Sequence, residues 1–193
     1  LIKYAADYHG TREIVSQSSA ASQLYRYTYA DAYQRIGQLA HSLAAFNVTS
    51  GDRIATLAGN THRHFELFYG VSGIGAVLHT VNPRLFEEQI LYIVNHAEDK
   101  ALFLDPAHLP LVEKLAAQMP TVQLYVVLCD EADMPQTDLN NVICYENFIQ
   151  GKPTIYDWPV FVERLSSSLC DTSVTTGDPM GVLSRHPSSA FTA

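Results

Sequence analysis

Residues 171–182 read Asp-Thr-Ser-Val-Thr-Thr-Gly-Asp-Pro-Met-Gly-Val and follow a short run that ends at Leu169. Hydroxyl side chains alternate with small residues, and a Gly-x-Pro-x-Gly turn precedes a second apolar segment. This pattern predicts a strand that ends in a tight loop, after which the chain re-enters as a second strand. Such a loop directs backbone N–H groups and several hydroxyls to one spot, which suits the binding of phosphate oxygens.

The stretch resembles the phosphate-binding loop of the AMP-forming acyl-CoA synthetases, the adenylate-forming ligase superfamily, in which an aromatic residue precedes TSGTTGxPKGV. The matching positions are Thr172, Ser173, Thr175, Thr176, Gly177, Pro179, Gly181 and Val182. The resemblance implies that a nucleotide phosphate is bound by Thr172, Ser173, Thr175, Thr176 and Gly177.

Three positions depart from this pattern, so residues 167–186 form a degenerate phosphate-loop region. Val174 replaces a glycine, and a β-branched residue disfavours the positive φ that glycine tolerates. Met180 replaces a lysine that would offset phosphate charge, and Asp171 replaces the aromatic residue with an anion. The loop keeps the turn residues of the family pattern, whereas its charge differs, because a lysine is lost and an aspartate is gained.

The resemblance extends along nearly the whole chain. The matching segments are similar to the branch of the family that acts on medium- and long-chain fatty acids. It is carried by residues 27–31, 51–55, 60–66, 73–85 and 92–99. The resemblance implies ATP, Mg²⁺ and CoA as reactants or cofactors and a medium- or long-chain fatty acid as substrate. The family's adenine segment and catalytic lysine would lie beyond Ala193, so we expect residues 1–193 to form a partial N-terminal AMP-binding domain without a catalytic residue.

Two functions from different classes remain open at this level. One is a stretch of a fatty-acid–CoA ligase that is inactive as an isolated chain. The other is a non-catalytic relic or binding module that keeps the first half of the ligase fold. A reading frame that continues past Ala193 would favour the first, and a genuine stop there would favour the second. Departures from the family pattern cluster after about Phe161, which fits a loss of constraint on the sequence of that region.

Apolar periodicity predicts an α/β fold, the first part of a large N-terminal domain, with a mostly parallel sheet flanked by helices. Strand-like and helix-like segments alternate, as in the predicted helix Glu87 to Ala97 and the predicted strand Ala101 to Leu104 that follows it. The clearest helix starts at Thr28-x-x-Asp31, a variant of the capping box. Asn60 or Thr61 reads as the cap of a helix through about Ile74 that is apolar nearly all round from Phe65 onward, and Asp105 reads as the cap of another helix. Polar residues, prolines and a glycine in 130–159 predict a surface connection with one short helical turn around Tyr145 to Ile149.

Composition excludes several classes of partner. The net charge of −8 and the lack of a basic run argue against nucleic acid. No apolar run approaches the roughly 20 residues of a transmembrane helix. Cys129, Cys144 and Cys170 form no CxxC pair and are expected to be buried free thiols, and the cytoplasm is the expected compartment. An exposed sheet edge predicts self-association.

Two pairs of side chains are candidate metal ligands by residue type. His62-x-His64 has the wrong spacing, because residues two apart on a helix point to different faces. Asp171 and Asp178 place two anions beside the phosphate loop without a lysine, an arrangement that repels ATP. We predict no metal site within the chain.

Other motifs have a simple structural explanation beside the functional one. His186 stands where the family often has a histidine near the acyl pocket, and the resemblance implies a substrate-pocket role that competes with that of a plain loop histidine. Gly70-x-x-Gly73-x-Gly75 ends a predicted helix and does not open one, so close packing or a helix stop explains it better than dinucleotide binding. Ser173 lacks the surrounding motif of a nucleophile.

Overall fold

The computed structural model describes residues 1–17, 24–161, 165–172 and 180–185, with the backbone alone at positions 171, 172 and 180. The helices are α1 (Ile2–His9), α2 (Tyr29–Ala45), α3 (His62–Gly73), α4 (Glu87–Ala97), α5 (Leu109–Leu115) and α6 (Tyr145–Ile149). The strands are β1 (Glu13–Gln17), β2 (Leu24–Thr28), β3 (Arg53–Leu57), β4 (Val77–Thr80), β5 (Ala101–Leu104), β6 (Leu124–Val127), β7 (Val142–Cys144), β8 (Ser166–Thr172) and β9 (Met180–Arg185). Within these residues, no helix combines the length and the apolar character that crossing a membrane requires.

The main sheet has seven strands in the order β7-β6-β5-β3-β4-β8-β9. All neighbours are parallel except β8 and β9, which are antiparallel. A separate antiparallel hairpin is formed by β1 and β2. The predicted α/β class with a mostly parallel sheet is confirmed.

Helices cover both faces of this sheet, as expected from strands that are apolar on both sides. One buried cluster joins α4 and α5 to Leu102, Leu104 and Val127. The other joins α2, α3 and α6 to Ile54 and Phe103. Since alternate residues of a strand point to opposite faces, neighbouring residues such as Leu102 and Phe103 contribute to different clusters.

The start of α2 shows how local sequence sets a helix boundary. The Thr28 side chain accepts a hydrogen bond from the Asp31 backbone N–H, and the Asp31 carboxylate accepts one from the Thr28 N–H at 2.9 Å. The predicted capping-box variant is therefore confirmed. These two bonds pair backbone donors that would otherwise have no partner in the first turn.

The expectation that 130–159 is a surface connection is wrong for Val142–Cys144, which forms β7, whereas the helical turn expected at Tyr145–Ile149 is confirmed as α6. β7 adds a strand to the sheet beside β6, and Tyr145 at the start of α6 is fully buried against α2 and α3. Further along, the Trp158 indole N–H donates to the Tyr33 hydroxyl at 2.9 Å. The polar composition of the segment hid these anchors because each is a single residue or a short run.

Helix α3 also departs from its predicted apolar character after Phe65, because Glu66 is buried in it, and Arg63 is buried in its first turn. Arg35 Nε lies 2.8 Å from Glu66 Oε1, and the Tyr145 hydroxyl donates to Glu66 Oε2 at 2.8 Å. Glu146 receives charged hydrogen bonds from both Arg35, at 2.9 Å, and Arg63, at 2.8 Å. This ionic network joins α2, α3 and α6 through long-range contacts that no local pattern contains.

Candidate functional site

The carboxyl ends of β3, β4 and β8 surround a cleft of about 360 Å³, which we call the carboxyl-end cleft. Ligands of parallel α/β sheets bind at this edge, where strand ends and loops converge. The cleft is lined by Thr56, Ala58, Asn60, His64, Thr80, Val81, Asn82, Pro83 and Cys170. Because Cys170 precedes the end of β8 by two residues, the cleft lies beside the start of the predicted phosphate loop.

The two strands that flank this loop are confirmed. β8 ends at Thr172, β9 begins at Met180, and these two residues are register partners in an antiparallel pair. The chain therefore leaves the sheet at the carboxyl-end edge and returns beside it. Of the predicted phosphate-binding residues, only the Thr172 backbone is described. Outside the described residues lie Ser173, Val174, Thr175, Thr176, Gly177, Asp178 and His186.

Uncharged hydrogen-bonding groups form the walls of the carboxyl-end cleft. Thr56 Oγ1 lies 3.2 Å from His64 Nε2, and the Thr80 hydroxyl donates to the Leu169 carbonyl at 3.4 Å. Burial lowers the pKa of His64 below its ordinary value, although the nearby Asp105 carboxylate opposes the shift. The imidazole is consequently neutral at pH 7 and takes part as a hydrogen-bonding group without charge.

Asp105 has a role that the sequence interpretation missed. It was expected to cap a helix, but its side chain makes no capping bond to the 3₁₀ turn Pro106–His108 that follows it. Its Oδ2 instead accepts a hydrogen bond from the Gly59 N–H at 2.8 Å, and the residue is only 9% exposed. This hydrogen bond fixes the turn between β3 and α3, and the turn places Asn60 at the wall of the cleft.

His62 and His64 make different contacts, as the spacing of two predicts. The His62 ring stacks on Tyr25 with centroids 3.8 Å apart, and its backbone N–H donates to the Ser16 hydroxyl at 2.9 Å. His64 faces the carboxyl-end cleft. No group of three or more His, Cys, Asp or Glu side chains within the described part of the chain is arranged to hold a metal ion.

The glycines of 70–75 serve close packing, in agreement with the sequence interpretation. A Cβ atom added at Gly70 would lie 2.6 Å from the Leu39 side chain, and one at Gly73 would lie 2.6 Å from Trp158. Gly75 has a φ of +84°, a conformation that ends α3 and that other residues disfavour. These three positions let α2 and the segment around Trp158 approach α3.

The donor set of the cleft suits an oxygen-rich ligand only in part. The amides of Asn60 and Asn82 are of the type that donates to phosphate or carboxylate oxygens, whereas the Thr80 hydroxyl already donates to the Leu169 carbonyl. No Lys or Arg is present among the described residues that line the cleft. Residues 171–182 also contain no Lys or Arg, so neither this loop sequence nor the described lining of the cleft supplies a positive side chain to a triphosphate.

Comparison with known proteins agrees with this architecture. The family model of AMP-binding enzymes matches residues 2–193. The chain is 41% identical over 191 residues to the medium-chain-fatty-acid–CoA ligase of Ectopseudomonas oleovorans, covering 99% of this chain and 35% of the relative. It is 42% identical to the 3-methylmercaptopropionyl-CoA ligase of Ruegeria pomeroyi, with the same coverage of 99% and 35%.

Solved structures share the fold at lower identity. An anthranilate CoA ligase in complex with anthranoyl-AMP superposes with a TM-score of 0.78 at 22% identity, covering 84% of this chain and 30% of that one. A fatty acyl CoA synthetase of Mycobacterium tuberculosis gives a TM-score of 0.75 at 23% identity, covering 96% and 34%. The chain thus spans about a third of the length of the proteins it matches, and it belongs to the family of AMP-binding enzymes.

Proposed function

We propose that this chain supplies the first part of the AMP-binding domain of an ATP-dependent fatty-acid–CoA ligase. In that reaction an acid and ATP give acyl-AMP and pyrophosphate, and CoA then takes the acyl group as a thioester. The observation that carries the proposal is the 41% identity to a medium-chain-fatty-acid–CoA ligase across 99% of the chain. A medium- or long-chain acid is the proposed substrate, and residues 1–193 are the proposed partial domain.

Within this function the chain positions groups and does not perform the chemistry. The proposed phosphate contacts are those of Thr172, Ser173, Thr175, Thr176 and Gly177, on the loop between β8 and β9. The Asp105 bond to Gly59 keeps the opposite wall of the carboxyl-end cleft in place. ATP, when bound, supplies the activated phosphate, and Mg²⁺ helps to neutralise the leaving pyrophosphate.

Two substitutions in the loop support a proposal that the chain as it stands is defective in adenylation. Val174 occupies a position where the family has glycine, and Met180 occupies one where it has lysine. The first hinders the turn and the approach of a phosphate, and the second removes a compensating cation. This observation also favours the second candidate, a non-catalytic module that retains the fold for contacts with a partner.

The decisive experiment is a chimera in which this chain replaces the matching segment of the Ectopseudomonas oleovorans ligase. We expect the chimera to fold and to form acyl-CoA slowly, and Val174→Gly with Met180→Lys to raise the rate by about 100-fold, the effect of restoring one transition-state contact. Val160→Gly with Gln150→Lys introduces the same two residue types at exposed positions outside the loop. This control pair is expected to leave the rate of the chimera unchanged.

The outcomes separate the two candidates. Full activity of the unaltered chimera would show that the loop is not defective. A folded revertant chimera that stays silent would refute the ligase proposal and leave the non-catalytic module. The isolated chain, assayed by ATP–pyrophosphate exchange with a panel of fatty acids, is expected to be silent with or without the reversions.

The cytoplasm is the proposed compartment of the protein. Cys129 and Cys144 are buried free thiols, which fits a reducing environment. Cys170, which was expected to be buried like them, is exposed at the end of β8.

A further inference from the structure

His64 is the side chain on which the charge of the carboxyl-end cleft depends. Among the described residues that line the cleft, it is the only one that becomes a cation on taking up a proton. Cys170, from β8, is the other titratable residue there, and its thiol becomes an anion on losing one. A phosphate group that enters the cleft therefore meets a positive side chain from these walls only if His64 is protonated.

The hydrogen bonds of His64 are compatible with both of its charge states. Its Nε2 lies 3.2 Å from the hydroxyl oxygen of Thr56, a residue that is only 1% exposed. In the charged ring, Nε2–H donates to this oxygen, while the Thr56 hydroxyl donates to the His79 carbonyl 3.5 Å away. Protonation consequently keeps Nε2 and the Thr56 hydroxyl paired, and the half-buried ring offers Nδ1–H to a ligand.

Two opposing influences set the charge of His64 in the free chain. Burial lowers its pKa, whereas the Asp105 carboxylate, just after β5, raises it. On α3 itself, His62 stays neutral because burial lowers its pKa to about 3. The Arg63 guanidinium is bound to carboxylates of the ionic network. The charge of His64 is therefore open to the influence of an anion that arrives in the cleft.

The strands beside His64 bring no further fixed charge to it within the part of the chain that the structure describes. β3 and β4 contribute the hydroxyls of Thr56 and Thr80. His79 precedes Thr80 and points to the other face of the sheet. There its Nδ1 lies 2.7 Å from Asp99 Oδ2 in a fully buried pair. The β1 residues that line a space shared with His64 are uncharged.

We propose that His64 takes up a proton when a phosphate group enters the carboxyl-end cleft and binds that group as a cation. The choice of phosphate rests on the proposed function, which places a nucleotide phosphate on the loop between β8 and β9. The backbone N–H groups of His62 and His64 do not replace this contact, because they already donate to hydroxyls of neighbouring residues. His64 then supplies a positive charge that the loop lacks where Met180 stands in place of lysine.

Proton uptake makes phosphate binding depend on pH with a definite sign. An anion within about 4–6 Å raises the pKa of a histidine by roughly 1–3 units. Between the pKa of the free state and that of the bound state, the complex holds a proton that the free chain does not. Affinity therefore increases as the pH falls through this interval, by up to about tenfold per pH unit. Above the interval the effect disappears, because neither state holds the proton.

The test is isothermal titration calorimetry of inorganic pyrophosphate into the 193-residue chain at about pH 6 and about pH 8, without Mg²⁺. We expect the ratio of the two affinities to be about tenfold larger in the unaltered chain than in His64→Gln, whose amide hydrogen-bonds to Thr56 without taking up a proton. The pH dependence of pyrophosphate itself is common to both proteins and cancels. His96→Gln removes an exposed histidine in the last turn of α4 and is expected to match the unaltered chain.

Proton uptake is measured directly in the same titrations. Heats recorded in buffers of different ionisation enthalpy should show more proton uptake by the unaltered chain than by His64→Gln. Adenosine, which has no phosphate, is expected to cause none. His64→Lys keeps its charge across this pH range and should bind pyrophosphate more tightly at about pH 8 than the unaltered chain does. Far-ultraviolet circular dichroism identifies variants that do not fold, and His64→Lys serves as the test if His64→Gln is one of them.

The outcomes also separate this inference from the proposed function, because the titrations contain neither fatty acid nor CoA. Equal pH dependence in the unaltered chain and folded His64→Gln, or no pyrophosphate binding at either pH, would overturn the inference. Proton-coupled binding by a chain whose revertant chimera is silent would sustain the inference while the ligase proposal fails. An active revertant chimera together with uncoupled binding would sustain the ligase proposal and refute the role of His64.

Discussion

The parallel part of the sheet and the antiparallel β8–β9 ribbon differ in how far their side chains are buried. β5 in the centre is buried at every residue, with apolar clusters on both of its faces. β9 at the edge exposes 49% of Val182 and 58% of Leu183. The first region is maintained by packing, whereas the second carries the segment that matches a phosphate loop. Substitutions in the two regions should therefore have different consequences.

The largest effect is expected where the ionic network holds the parallel part together. Arg35→Ala leaves the Glu66 carboxylate, which is 0% exposed, without its charged partner 2.8 Å away. We expect the free energy of unfolding, measured in urea, to fall by about 3–5 kcal/mol. Arg35→Leu combined with Glu66→Leu should recover much of this loss, because no buried charge is left unpaired.

The control for this prediction is the exposed pair of Lys3 and Asp7, whose charged atoms are 2.5 Å apart. Lys3→Ala should lower the free energy of unfolding far less than Arg35→Ala does, because solvent already screens the pair. Equal losses in Lys3→Ala and Arg35→Ala would show that burial does not determine the effect.

A smaller loss is expected from Gly37→Ala, which tests the attachment of residues 150–158 to α2. The new Cβ atom would lie 2.1 Å from the Thr154 carbonyl oxygen, so the backbone must move. We expect a loss of about 1–3 kcal/mol in the free energy of unfolding. The fluorescence of Trp158, the single tryptophan, should change as its bond to Tyr33 is disturbed. Gln34→Ala, on the exposed face of α2, should change neither quantity.

The pH dependence of stability provides a third comparison. Burial lowers the pKa of His62 from 6.5 to about 3, with Arg63 and Arg35 adding to the shift and Glu146 opposing it. Between these values the unfolded state binds a proton that the folded state does not. Stability should therefore decrease as the pH falls from 6.5 toward about 3, by up to about 1.4 kcal/mol per pH unit.

His62→Phe isolates this contribution because it keeps a ring that can stack on Tyr25. We expect urea unfolding of this variant to depend less steeply on pH than that of the unaltered chain. The pKa of Glu146 is also perturbed: burial would raise it, but Arg35 and Arg63 lower it overall. Since that contribution is present in both proteins, the difference between them reports His62, and parallel pH curves would refute the assignment.

The smallest change in folding free energy is expected at the β9 edge, where the oligomeric state should respond instead. We expect the chain to self-associate, and Val182→Lys to shift it toward monomer in size-exclusion chromatography with light scattering. The free energy of unfolding should change by no more than about 0.5 kcal/mol. Val160→Lys, at a fully exposed position outside the strands, is the matched control. A monodisperse monomer before substitution would argue against edge pairing.

Features with local causes were predictable from the sequence. The capping pair Thr28 and Asp31, the helix Glu87–Ala97 and the strand Ala101–Leu104 occur where the pattern placed them. Each depends on hydrogen bonds or apolar periodicity within a few residues. The flanks of the loop were predictable for the same reason, since β8 and β9 are adjacent in the chain.

Features with distant causes were not predictable. Glu66 lies 79 residues from Tyr145, and Gly59 lies 46 residues from Asp105, yet each pair shares a hydrogen bond. A carboxylate in a helix pattern indicates an exposed face unless a partner from elsewhere compensates for burial. The polar segment 130–159 likewise gave no sign of the β7 strand.

By itself, the sequence determined the α/β class, most helix and strand positions and the segment that resembles a phosphate loop, because these depend on short-range patterns. Only the tertiary structure decided that the ends of β3, β4 and β8 surround the carboxyl-end cleft, and that a buried ionic network joins three helices. Both arise when strand order brings remote segments together, and strand order is set by packing over the whole sheet.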